Sequence, residues 1–182
     1  MRDTEMMKFR AMIPLTTTML LLCTWSSSTH AASNTISAVI PWQGQGQIFP
    51  VGTDKLRFLG SLEGIMYVET ADGDMNEAFV RCPIIQNLDA VDGSTSASGN
   101  CVIVVSTEDS VFAEITCEGI AGLCSGDFKL TGGTGRFDGI SGSGKMTVRS
   151  PVHALAADLS EGTVVHVAAG ILQIPVLEYS LP

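Results

Sequence analysis

The stretch Leu130–Arg149, LTGGTGRFDGISGSGKMTVR, decides how the rest of the chain is read. Within it, Gly139, Gly144 and Lys145 have the spacing of a phosphate-binding loop. Such a loop needs Ser or Thr directly after its lysine to hold magnesium, and it must open a helix whose N-terminus faces the phosphates. Met146 takes the magnesium position, and MTVRSPV runs on as β-like sequence into Pro151, so no helix can start there. Gly133, Gly135 and Gly139 give G-x-G-x-x-x-G in place of the dinucleotide G-x-G-x-x-G, and neither Ser141 nor Ser143 lies in a G-x-S-x-G elbow. The glycines suit a hairpin instead. Gly132, Gly133 and Gly135 permit the positive φ values of a tight turn, and Phe137 is expected to start the next strand. Gly139, Gly142 and Gly144 would let that strand coil and bend as a small barrel demands.

The rest of the chain has the same rhythm. In KLRFLGSLEGIMYVE, Leu56, Phe58, Gly60, Leu62, Gly64, Met66 and Val68 share one parity, and Arg57, Ser61, Glu63, Tyr67 and Glu69 the other, as a strand with one core face requires. ADGD (Ala71–Asp74) turns the chain and NEAFVRCPIIQNLD continues it. VDGSTSASGN reads as a polar connection. NCVIVVST and SVFAEITCEG flank a tight hairpin at Glu108 and Asp109, with Val111, Ala113, Ile115 and Cys117 on one side of the second arm. SGDFKLTG, RFDGISGSGKMTVRSPVHALA and a closing pair, TVVHVAAG and LQIPVLEYSL, complete the strands; Pro175 requires an edge or a bulge in the last. Only AADLSEG offers a helical turn. The prediction is an all-β fold: a single antiparallel barrel of about eight strands over residues 54–182, preceded by an N-terminal arm or entry strand at 32–53.

Residues 1–31 read as a secretory signal peptide: a short basic start, an apolar run from Ala11 to Cys23, and a small-residue exit with cleavage near Ala31. The run is well short of the roughly 20 apolar residues that span a bilayer. Leu22 stands before Cys23 where a lipoprotein carries a small residue. The chain is therefore expected to be secreted or periplasmic, without a stable membrane span. Cleavage takes Arg2, Lys8 and Arg10 from a total of 10 basic residues, and Asp3 and Glu5 from 19 acidic ones, leaving a formal charge of −10. That charge repels phosphate backbones and argues against nucleic-acid binding.

Four cysteines survive cleavage: Cys82, Cys101, Cys117 and Cys124. An even count in an exported chain indicates two disulfides, with three connectivities open. The turn-like CEGIAGLC favours Cys117 with Cys124, and therefore Cys82 with Cys101. With no C-x-x-C and with His153 and His166 isolated, no metal site or cofactor is expected. ADGDMN places Asp72, Asp74 and Asn76 at calcium-loop spacing, but Glu77 stands where that loop needs Gly and Pro83 where it needs its bidentate Glu. A plain acidic turn fits better.

GGTGRFDGISGSG, preceded by CEGIAGLCSGDFKL and FLGSLEGIMYVE, resembles bacterial exported domains grouped as allene-oxide-cyclase-barrel-like, related in shape to plant dirigent proteins. The resemblance covers roughly Asp54–Pro182. It implies an eight-stranded barrel whose lumen holds an apolar small molecule, and assembly as a homo-oligomer, a trimer in the plant members. It carries no catalytic residue across. Three functions follow as expectations. The first is a non-enzymatic exported barrel that binds an apolar small molecule or acts as an interaction module. The second is a cyclase or isomerase working through lumen carboxylates, with Glu63 and Glu114 as candidates; Glu114 qualifies only if it faces the lumen, where desolvation would equip it as an acid or base. The third is a structural envelope or surface oligomer.

Overall fold

The structure, a computed structural model, describes residues 33–70, 73, 75–151 and 164–182. The proposed signal peptide, the AADLSEG turn and His153 lie outside the described residues, as does the side chain of His166. Eight strands follow in order: β1 (Ser33–Gly52), β2 (Lys55–Thr70), β3 (Met75–Asp89), β4 (Ser94–Val104), β5 (Ser110–Ile120), β6 (Leu123–Gly133), β7 (Ser141–Arg149) and β8 (Val164–Ser180). Each pairs antiparallel with its neighbours in sequence, and β8 pairs antiparallel with β1, so the sheet closes as an up-and-down barrel with no free edge.

Strand alternation decides what faces the lumen. The parity read from the β2 sequence holds, with Met66 buried and Leu56, Phe58 and Leu62 half-buried on the inner side. On β5, Val111, Ala113, Ile115 and Cys117 point inward, while Phe112, Glu114 and Thr116 stand outside. Trp42 also points inward. Its indole lies so close to Gly170 on β8 that an added Cβ there would stand 2.5 Å from the ring; the register places these two residues opposite each other. Phe58 covers Gly46 in the same way, 2.6 Å from where a Cβ would be. Glycine is thus required where large rings must lie flat on the inner wall.

Four sequence readings are corrected. Of the arm and the entry strand expected at 32–53, the strand is found, but it is a full barrel strand of 20 residues, paired with both β2 and β8, so the barrel begins before Asp54. VDGSTSASGN turns only at its start; Ser94 onward is β4, where Thr95 and Ala97 face inward and small polar residues face outward. Phe137 begins no strand but ends a single 3₁₀ turn, Gly135–Phe137. The closing pair is one strand, β8. The bulge predicted at Pro175 is present: the β1 register slips by one residue between Ile36↔Leu177 and Ala38↔Ile174, leaving both Pro175 and Val176 exposed.

The two ends of the barrel differ. At the end carrying the chain terminus, the loop from Thr134 to Ile140 folds over the opening. Phe137 packs against the core and Ile140 is buried within it. Asp109 holds this loop, accepting a hydrogen bond from the Arg136 backbone N–H at 3.1 Å and pairing with the Arg136 guanidinium at 3.1 Å. Gly135, at φ 60°, makes the turn possible. The Thr134 hydroxyl donates to the Glu108 carbonyl and accepts from the Ser110 N–H. Beneath the loop, Phe128, Ile174 and Leu177 are fully buried. At the opposite end, backbone hydrogen bonds lace successive turns together: Ala90 N–H to the Asp54 carbonyl, Ala121 N–H to Gly93, and Ser150 N–H to Gly122. That end keeps an opening.

The disulfides join Cys82 to Cys101 and Cys117 to Cys124. The first staples β3 to β4 from the inside, with a Cα separation of 4.1 Å. The second joins β5 to β6 at the open end.

Candidate functional site

Large side chains fill the capped half of the barrel, whereas the other half holds a cavity of about 180 Å³. Trp42, Phe58 and Leu62 form its wall on β1 and β2; Ile84, Gln86 and Leu88 come from β3; Met146, Val148 and Leu172 close the far side. Alanine at 97 and 168 leaves the space that larger residues would fill. The Cys117–Cys124 bridge lies in the wall near the rim.

Polar groups in this wall are few. Thr95 is the one polar side chain in the buried core among the described residues, 7% exposed. Its hydroxyl donates to the Asn87 carbonyl at 2.9 Å and accepts from the Gln86 amide at 2.8 Å. Ser150, near the opening, donates to the Ala169 carbonyl at 2.6 Å. No Asp, Glu, Lys, Arg or His is among the described lining residues. One buried donor in this region, Trp42 Nε1, has no partner.

Charges are outside. Glu63 points outward on β2 and accepts a hydrogen bond from Arg81 Nε at 2.7 Å across the β2–β3 pair. Glu114 is exposed on the outer face of β5. Neither reaches the lumen and nothing brings the two together, so the expectation of a lumen carboxylate is corrected. The cause is strand parity: each residue shares its face with outward polar neighbours, and the apolar residues flanking it point in. Lys145, the candidate phosphate lysine, also lies on the outer wall, within a strand, 2.5 Å from Asp127 Oδ1. Among the described residues, no group of three His, Cys, Asp or Glu side chains is arranged to hold a metal.

At the rim, Lys55 pairs with Asp89. The Lys55 hydrogen bond, aided by the Val91 backbone N–H, holds the Asp89 carboxyl below the usual carboxylate range; the same pairing raises Lys55. Asp92 is lowered chiefly by the Ser94 N–H, which it accepts at 2.8 Å. Lys55 and Asp92 are exposed and Asp89 half-buried; they fix the turn and do not line the cavity.

On the outer wall, Pro41 stands beside Ile171, and Ile65 beside Phe79 beside Val104, an exposed apolar row crossing β8 and β1 to β4.

Sequence reasoning missed Gln86 and Thr95. The alternating burial of β3 was visible, and an amide at an inward position, between Ile84 and Leu88, is the signal that could have found the first. Thr95 was hidden because its strand was read as a connection. No protein-family model matches the chain, and no curated protein matches it.

Proposed function

We propose that the protein is an exported, non-enzymatic barrel that takes a small apolar molecule into its lumen. The observation that carries this reading is the one-ended cavity, apolar on nearly every side and rimmed by laced turns. Its volume is of the order that admits a benzene-sized guest, since an apolar cavity of about 150 Å³ does so. Burial of such a guest is driven by loss of apolar surface from water. The closed eight-stranded architecture agrees with what the resemblance to allene-oxide-cyclase-barrel-like exported domains implies, and membership of that group is part of the proposal. So is export, which the disulfide-bonded cysteines support.

Calorimetric titration of the oxidised protein with p-xylene tests the reading. Binding is expected, and Ala97→Phe, which places a ring in the cavity, should abolish it while the far-UV dichroism stays that of a β-barrel. Equal binding by Ala97→Phe would remove the lumen as the site. A second reading, an interaction module, is favoured by the exposed row that includes Ile65, Phe79 and Val104. Light scattering behind size exclusion checks it, with a monomer at all concentrations counting against self-association.

A further inference from the structure

Gln86 gives the lumen a chemical preference, which rests on the ligand-binding reading above. The Thr95 hydroxyl spends its proton on the Asn87 carbonyl, so towards Gln86 its oxygen can only accept. This fixes the orientation of the Gln86 amide, whose NH₂ must face Thr95 and whose carbonyl oxygen must point away. One N–H is used. The second N–H and Oε1 have no protein partner among the described residues, on a side chain that lines the cavity beside Phe58 and Ala97. Of the other polar groups of the described wall, the Thr95 and Ser150 hydroxyls have committed their protons to backbone carbonyls, and Trp42 Nε1, without a partner, offers a donor but no acceptor. Gln86 is therefore the single side chain in this wall with a donor and an acceptor to offer.

We infer that the lumen selects a neutral apolar molecule carrying one hydroxyl, a phenol or a compact alcohol, whose O–H donates to Gln86 Oε1 and whose oxygen accepts the free Nε2–H. A hydroxyl buried without partners loses its hydration uncompensated, so a uniformly apolar cavity rejects it in favour of the matching hydrocarbon. Gln86 removes that penalty. It does not do so for an anion, because among the described residues no cation lines the cavity to pair with a buried carboxylate. The rings of Trp42 and Phe58 supply flat apolar contact for the rest of the guest.

Three probes of nearly one shape separate the possibilities at pH 7: p-cresol, p-xylene and 4-methylbenzoate, titrated calorimetrically into the oxidised protein. Binding of p-cresol is expected to be at least as tight as that of p-xylene, with 4-methylbenzoate not bound. Gln86→Leu should weaken p-cresol about tenfold and leave p-xylene within about twofold. If p-xylene binds the wild-type protein and p-cresol binds more weakly, the hydroxyl preference is wrong while the apolar lumen stands. If neither binds, the apolar lumen falls and the preference with it. Equal losses of both probes in Gln86→Leu, or binding of 4-methylbenzoate as tight as that of p-cresol, also overturn the preference. Should Gln86→Leu fail to fold, Gln86→Met reads the same comparison, and the wild-type ranking decides by itself.

Discussion

Truncating Phe128 to alanine distinguishes a barrel that is solid at one end and hollow at the other from one packed evenly throughout. Phe128 is 0% exposed on β6, its backbone in register with Ile115 on one side and Gly144 on the other. Deleting its ring forfeits the transfer free energy of the removed atoms and leaves a void that the capped end cannot collapse to fill, about 3–5 kcal/mol. Leu88 is the counterpart. It is half-buried on the wall of the cavity, where one side of its surface already lacks partner atoms. Leu88→Ala should therefore cost well under a full core truncation, about 1–2 kcal/mol. In a chain of this size these losses lower Tm by roughly 6–20 °C and roughly 2–8 °C. Urea unfolding followed by far-UV dichroism, with the disulfides intact, gives the free energies provided that the m value is unchanged. Calorimetry with p-xylene adds a second axis: Leu88→Ala, which reshapes the wall, should change the affinity. Losses of equal size at the two positions would refute the division of the barrel into a packed half and an open half.

Three further outcomes follow from the same geometry. Replacing both cysteines of the Cys82–Cys101 bridge by alanine should cost about 3.2 kcal/mol and replacing those of Cys117–Cys124 about 2.4 kcal/mol, in line with sequence separations of 19 and 7, and reversal of that order in urea unfolding would contradict the loop-entropy account. Gly135→Ala should destabilise by about 1–2 kcal/mol, because the residue sits at φ 60° and its new methyl group would meet the Asp109 carboxylate; an unchanged Tm counts against that loop geometry. Asp89 is depressed in the folded state, so its contribution to stability is present above the unfolded carboxylate value of about 3.9 and is lost as pH falls through its folded value. Lys55→Met should return the Asp89 titration, followed by NMR, towards the ordinary range, while Asp92 stays depressed because its main partner is the Ser94 N–H.

Much of this barrel is written in period-two alternation, which is why the core face of β2 could be read from residues alone, and the two sides of β5 separated, though which side of β5 meets the lumen needed the structure. The disulfide pairing was legible too, since CEGIAGLC closes on itself and leaves one partner for each remaining cysteine. Reading failed where composition and position disagree. Ser94–Asn100 is polar and small, as a loop would be, yet it is held as strand by neighbours on both sides, and β1 looked loose because its inward positions alternate Trp42, Gly44 and Gly46. Those glycines signal no core by themselves. They become intelligible only once the rings of Trp42 and Phe58, from the same strand and its neighbour, are seen to lie over them. The cavity was invisible for a related reason: it depends on which small residues of non-adjacent strands, such as Ala97 and Ala168, fall at one height, and that requires the register of the closed sheet.

An eight-stranded barrel has an interior just wide enough to be filled by its own side chains or to leave room for one small molecule; here side chains fill one end and a cavity remains at the other. At the capped end the loop carrying Phe137 and Ile140 completes the packing, and the glycine-rich sequence around it supplies the turn that returns the strand to the wall. At the other end the large side chains lie flat against glycine, so the space they vacate is gathered along the axis. Among the described residues the charges stay outside it: the parity that sends Leu62, Gly64 and Ile115 inward sends Glu63 and Glu114 outward. Among the described lining residues, the one side chain that offers both a donor and an acceptor is an amide held in one orientation by a threonine. Under the proposed reading such a group recognises a hydroxyl, and among the described lining residues no carboxylate, imidazole or amine stands beside it. The outward placement of Glu63 and Glu114 and the apolar character of the described lumen wall thus share one cause, the alternation of the strands.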